Sequence, residues 1–174
     1  MAAVQRLRQG LRALFAFSQT VDFHLAEQWL SASQMILFRQ MKRSEQLHSL
    51  NVLRDVLAQE AQTPADLAIA ALLHDVGKTC FPLAIWQKTL AVLVRAGAPQ
   101  VYHRWSKNNP QHRLFRAFAV AENHPTWSKT LVETTGASDT ALWLIAHHAD
   151  PLSQWDDHPY SKLLQRLKSA DDAN

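Results

Sequence analysis

The sequence predicts an all-α fold, and three observations carry that prediction. Apolar residues recur at helical spacing along almost the whole chain, no run alternates with period two, and only four glycines and seven prolines punctuate 174 residues. A sandwich or barrel of short strands needs turn residues far more often. The first apolar stripe is Val4, Leu7, Leu11, Leu14 and Phe15, with Arg6, Arg8 and Arg12 off it. A terminal helix packed on the core accounts for it more simply than a helix lying on a membrane surface. Asp22 is placed to cap a second helix through Leu25, Trp29 and Leu30. Ser31 or Ser33 then opens a third through Met35, Ile36, Phe38 and Arg39. From Ser44 to about Glu60 a longer helix carries Leu47, Leu50, Leu53 and Leu57 on its buried stripe. Thr63-Pro64-Ala65-Asp66 reads as a helix start: a capping threonine, proline at the first position, an acid at the third. The helix it opens, Leu67 to Leu73, is apolar nearly all round and is expected to be central. It ends at His74-Asp75-Val76-Gly77, with Gly77 in the place of a C-terminal cap. Pro82 is expected to start a helix that runs to Arg95 and stops at Gly97. Ala98 to Gln111, with Pro99, Asn108, Asn109 and Pro110, reads as a loop. Helices resume over Gln111 to Glu122, Pro125 to Glu133, Ser138 to His148 and Pro159 to Ala170.

Composition bounds the function. The length and an apolar fraction of 47% fit a single domain with one core. Cys80 is the only cysteine, which excludes disulfide scaffolds and thiolate zinc sites within one chain. No stretch reaches the ~18 apolar residues of a membrane span; the best, Leu83 to Val94, carries Gln87 and Lys88 in its middle. The apolar run after Arg6 and Arg8 is too short and broken for a secretory signal, so a cytoplasmic location is expected. Eighteen Lys and Arg against 15 Asp and Glu leave a net charge of +3. With no long basic run, that excess suits an anionic small molecule, and neither DNA nor RNA is expected as a partner. Nine histidines invite a metal reading.

Their positions sharpen it. His74-Asp75 closes an apolar helix where the chain leaves the core, and buried unpaired charge is costly, so the pair needs side-chain partners or a cation. His48 lies on the edge of the Leu47–Leu50 stripe, and His124 precedes Pro125 after the apolar turn Phe118 to Ala121. His147 and His148 end the run Leu142 to Ala146, and Asp171 follows Leu163, Leu164 and Leu167. Singly these read as a satisfied interface histidine, a helix-start residue, a frayed helix end and a solvated acid. Together they repeat one placement five times in order, which a helical bundle can point into a single cavity. Imidazole and carboxylate without thiolate favour divalent Mn, Fe, Co, Ni or Zn over Mg or Ca. Six or seven ligands exceed one tetrahedral zinc, so of one or two ions per chain, two octahedral ones sharing a carboxylate suit the set better.

In sequence, His48, Leu72-Leu73-His74-Asp75-Val76-Gly77-Lys78, His124-Pro125, His147-His148 and Ala170-Asp171 resemble the HD-domain superfamily of metal-dependent phosphohydrolases, from about Ser44 to Asp172. The resemblance implies a compact helical bundle of the HD type. Residues 1–174 would form one domain, with 1–43 as an N-terminal helical extension and 44–172 as the metal-binding core. It implies a first metal site from His48, His74, Asp75 and Asp171. His124, His147 and His148 match a second, which Asp75 would bridge to the first. Lys78 matches a lysine that holds or polarises a substrate phosphate, so Asp75 and Lys78 are the catalytic candidates. The implied reaction is hydrolysis of a phosphomonoester or phosphodiester through a metal-bound hydroxide.

The departures narrow the resemblance. The HD-GYP branch shares the extra histidines, but its Gly-Tyr-Pro is absent, and Gln154-Trp155-Asp156-Asp157-His158-Pro159-Tyr160 stands in that region. Ser128 stands where many relatives have glycine, and Ala149 then Asp150 where they often have an acid. Arg104, with Trp105, Lys107, Arg113 and Arg116, could grip a nucleotide by stacking and ion pairing, although a solvated loop explains the segment more simply. Trp127 and Lys129, just past His124-Pro125, are expected at the pocket rim. The expected partner is a phosphorylated small molecule, nucleotide-like, and residues 1–43 leave a homodimer open. The rival expectation is a signalling module that binds a phosphorylated ligand without turnover, against which the intact His-Asp pair and Lys78 argue.

Overall fold

Every regular element among the described residues, 20–174 of the computed structural model, is helical. The stripe expected over Val4 to Phe15 lies outside them. In chain order the elements are α1 (Phe23–Glu27), α2 (Ala32–Gln40), α3 (Arg43–Gln59), α4 (Ala65–Leu73), a 3-10 turn (Val76–Cys80), α5 (Ile85–Gly97), α6 (Pro99–Ser106), α7 (Arg116–Glu133), α8 (Asp139–His147), a second 3-10 turn (Leu152–Gln154) and α9 (Ser161–Ala173). No helix among the described residues is long and apolar enough to cross a membrane.

Short polar side chains start the helices where the sequence places them. Asp22 accepts from the Leu25 N–H at 3.0 Å. Ser31 forms a capping box, accepting from the Gln34 N–H while Gln34 accepts from the Ser31 N–H. Ser138 accepts from the Ala141 N–H at 3.1 Å and donates to Asp66 at 2.6 Å, tying the start of α8 to that of α4.

Other expectations need correction. α1 stops at Glu27, short of Trp29 and Leu30. Thr63 does not cap α4: its hydroxyl meets the Val56 carbonyl and the Arg166 guanidinium, and extended Pro64 takes the capping position. α5 begins at Ile85 rather than Pro82, with Gln87 accepting from the Ala84 N–H, and it includes Gly97. The segment read as a loop contains α6. Its Pro99 stands at the first helical position, where a missing N–H is harmless, and burial of Tyr102 and Ser106 supplies the stabilisation. The two helices expected on either side of Pro125 are one, α7, and α9 starts at Ser161 and runs to Ala173.

The described residues build two apolar clusters rather than one core. The larger unites α1 to α4 with α8 and α9, enclosing Phe38, Leu50, Leu53, Leu72, Leu144 and Leu167. Ala26, Leu30 and Met35 belong to it, so residues 20–43 pack into the bundle. The smaller joins α5, α6 and the first half of α7 through Ala91, Tyr102, Ala117 and Phe118, with Trp105 packed alongside. Gly77 allows the first 3-10 turn to press against α7. A Cβ there would overlap the His124 carbonyl oxygen and lie 2.6 Å from the Ser128 nitrogen. Its φ is not positive, so close approach rather than a left-handed cap demands glycine.

Candidate metal centre

Five elements deliver six ligand-type side chains to the junction between the two clusters: His48 from α3, His74 and Asp75 just past α4, His124 from α7, His148 just past α8, and Asp171 from α9. They form three overlapping groups, His48–His74–Asp75, His74–His148–Asp171 and Asp75–His124–His148. Within each, ligand atoms lie within 4.8 Å of one another. Asp75 is the hub. Its Oδ2 lies 3.6 Å from His74 Nε2, 3.9 Å from His48 Nε2 and 2.6 Å from Lys78 Nζ. Its Oδ1 faces the other way, 3.3 Å from His124 Nε2 and 3.9 Å from His148 Nε2. Asp171 Oδ1 sits 2.8 Å from His48 Nε2 and 3.5 Å from His74 Nε2.

Local backbone chemistry aims three of the rings. His74 and His148 follow the last residues of their helices, where carbonyls lack an intrahelical N–H. His74 Nδ1 meets the Ala71 carbonyl at 3.1 Å, and His148 Nδ1 meets that of Ile145 at 2.8 Å. His124 obtains the same partner inside a helix. Pro125 has no N–H for the Ala121 carbonyl, which lies 3.1 Å from His124 Nδ1, with the Val120 carbonyl at 3.0 Å. A carbonyl only accepts, so each Nδ1 carries the proton and each neutral ring presents its Nε2 lone pair.

Two features fit this set to a cation. His74 Nε2 is buried and has no hydrogen-bond partner, although two carboxylates flank it. The Nε2 atoms of His124 and His148 lie 3.2 Å apart. With both Nδ1 atoms committed as donors, two lone pairs face each other, which a shared cation relieves. Borderline imidazole and hard carboxylate oxygen are the donors that divalent transition ions take.

Electrostatics follows from the same contacts. Burial opposes the Asp75 anion, but the Lys78 ammonium and His74 overcome it and hold the carboxyl well below its usual range. Burial likewise opposes the Lys78 and His74 cations, and Asp75 outweighs it, raising both. Asp171 is held low against burial by its close approach to His48 and His74. His148 is the exception: burial, with the neighbouring His74 charge, pushes it down to about 3.

A cavity of about 260 Å³ opens beside the cluster, with Lys78 and His124 in its wall. Leu83, Ala91, Val92, Ala117, Val120 and Ala121 make most of the rest, with Glu45, Lys88, Arg95 and Tyr102.

The sequence reading missed Glu45, which stands on α3 outside the motif position His48, and Lys88, Arg95 and Tyr102, because α5 and α6 carry no motif; the helical period of α5 alone marks Lys88 and Arg95 as a pair on one face (i, i+7). Trp127, Lys129 and Arg104, expected at the rim, are not among the lining residues. Trp127 packs on Phe81 with centroids 5.3 Å apart, and Lys129 and Arg104 are exposed elsewhere. Trp105, the expected stacking platform, is engaged by Phe115 and Phe118. His147 stands outside the three groups. Its Nδ1 bonds Asp150 at 2.7 Å and its ring lies against Trp143 and Trp155. The region without Gly-Tyr-Pro thus builds an aromatic cluster, with His158 stacked on Trp143 at 3.9 Å. Ser128 accepts from the Gly77 N–H at 2.8 Å, a contact that glycine at this position would lose.

The family model described as HD domain matches residues 47–173, a span that holds all six clustered side chains and Lys78. No curated protein and no solved structure matches the chain. A family match over well over half of the sequence, laid on helices that gather its histidines and aspartates, means that the chain belongs to the HD domain family.

Proposed function

We propose that the protein hydrolyses a phosphomonoester or phosphodiester of a small molecule at the His/Asp cluster. The observation that carries this reading is Asp75, whose two oxygens face different imidazole groups while its Oδ2 also pairs with Lys78. His48, His74, Asp75 and Asp171 would hold one divalent ion; Asp75, His124 and His148 would hold another. Bound there, such ions supply Lewis acidity toward water and phosphoryl oxygens. Lys78 stays cationic beside Asp75 and reaches the cavity, where it can hold a phosphoryl oxygen and offset its charge. The Nδ1–H bonds to carbonyls keep the rings from turning as the substrate binds.

The test starts with elemental analysis of protein purified without chelator, followed by a panel of phosphate esters with added Mn²⁺. About two transition ions per chain and turnover of at least one ester are expected. Asp75→Ala should lose metal and turnover together. Metal retained with unchanged turnover in that variant would overturn the bridging role. No metal after reconstitution with Mn or Fe would overturn the enzyme reading in favour of a ligand-binding module.

A further inference from the structure

We infer that the organic group of the substrate, next to the phosphate, is compact and largely apolar. The inference rests on the phosphohydrolase reading and names its substrate class. The cavity reaches the cluster at Lys78 and His124, so a phosphate held there directs its organic group between α5, α6 and α7. That space is walled by Leu83, Ala91, Val92, Ala117, Val120 and Ala121. An apolar cavity of about 150 Å³ accepts a benzene ring; this one, at about 260 Å³, takes a ring with a linker or a short alkyl chain.

Most polar groups of the wall are already engaged, and the Tyr102 hydroxyl, buried without a hydrogen-bond partner, leaves a place for one polar atom of the ligand. Lys88 pairs with Glu45 at 3.2 Å, Glu45 also accepts from the Lys42 N–H, and the Arg95 guanidinium lies over the Tyr102 ring. A sugar carrying several hydroxyls would still leave most of them unpaired against this wall, because Tyr102 can serve only one, and that is costly. Inside the cavity the Tyr102 ring is engaged by Arg95 and Phe118, and Trp105, packed against Phe115 and Phe118, is not in the wall, so neither offers a base a stacking face there.

The outward strip of α5 continues the theme. Trp86, Val92 and Leu93 are 61%, 58% and 64% exposed, with Thr89 and Ala96 between them on the same face. Val92 belongs to both the strip and the cavity, so a longer apolar chain leaving the cavity meets apolar surface. Residues 76–121 hold no Asp or Glu, which favours an anionic amphiphile over a cationic one.

Phosphonates read this preference without turnover. On the Mn²⁺-loaded full chain, calorimetry should find benzylphosphonate bound at least tenfold more tightly than methylphosphonate, from burial of the ring. Ala91→Phe fills the cavity and should bring that ratio close to one. Val92→Gln, at an exposed position that does not threaten folding, should lower it several-fold. A further gain from hexyl- to dodecylphosphonate assigns a long-chain, lipid-like ester, and a plateau at hexyl a small soluble one. Equal affinity for benzyl- and methylphosphonate, no binding of either, or tighter binding of a nucleoside phosphonate overturns the inference. The phosphohydrolase reading fails separately, when no ester of the panel is turned over.

Discussion

A carbonyl three or four residues back fixes the ring of His74, of His148 and of His124, and this decides which nitrogen each offers. His148 pays attention to its surroundings most visibly in its protonation. Its pKa is about 3 in the fold against 6.5 for a free histidine. Between those values the unfolded chain binds a proton that the folded chain refuses, so stability rises with pH across that window and falls on acidification. The depressed Asp75 and Asp171 contribute stability that is lost only as pH falls through their ordinary value of 3.8 and below. His74, with its raised pKa, acts above 6.5, where its contribution is lost as pH rises through the folded value. Thermal melts of metal-free protein should therefore show Tm falling from pH 6.5 to 4, and His148→Gln should blunt the fall. An unaltered slope in that variant would contradict the assignment. At this scale the sequence shows ligand types but not which of two adjacent histidines points inward. His148 continues the buried face of Ala141 and Ile145, while His147 continues that of Trp143. Helical periodicity could have separated them.

Within the elements, two residues that usually break helices are used for the site. Pro125 leaves the Ala121 carbonyl to His124. Pro125→Ala would restore a backbone donor that competes for that carbonyl, so the helix should gain stability while metal affinity falls about tenfold. Paired urea melts and metal titrations read the two effects, and unchanged affinity would show that the Val120 carbonyl alone holds the ring. Gly77 lets the 3-10 turn with Lys78 approach α7. Gly77→Ala should cost ~2 kcal/mol or more by urea denaturation, because backbone rather than a flexible side chain stands in the way. Glycine after an apolar helix and proline inside one look from sequence like a cap and a boundary. Only the neighbouring helix shows that each serves a contact across it.

For the whole molecule, the site lies where the larger cluster, carrying α3, α4, α8 and α9, meets the smaller, carrying α5, α6 and the start of α7. An ion bound there links elements far apart in sequence, so it stabilises the folded chain only. At a hundred times its dissociation constant it contributes about 2.7 kcal/mol, which for a protein of this size raises Tm by roughly 5–10 °C. Mn²⁺ titration by scanning fluorimetry, reversed by chelator, checks this. No shift with any divalent transition ion would argue that the histidines are structural.

The helical class, the helix starts at Asp22, Ser31 and Ser138 and the ordered histidines and aspartates were legible in the sequence, because hydrophobic period, capping chemistry and ligand type are local properties. The extent of α6, the passage of α7 through Pro125, the place of His147 and the lining of the cavity were decided by tertiary structure. Each depends on what packs opposite: Phe115 and Phe118 against Trp105, Asp150 against His147, and α5 over the cluster at His124. Packing energy of that kind comes from residues distant along the chain, and it outweighs the weaker preferences of a segment read alone.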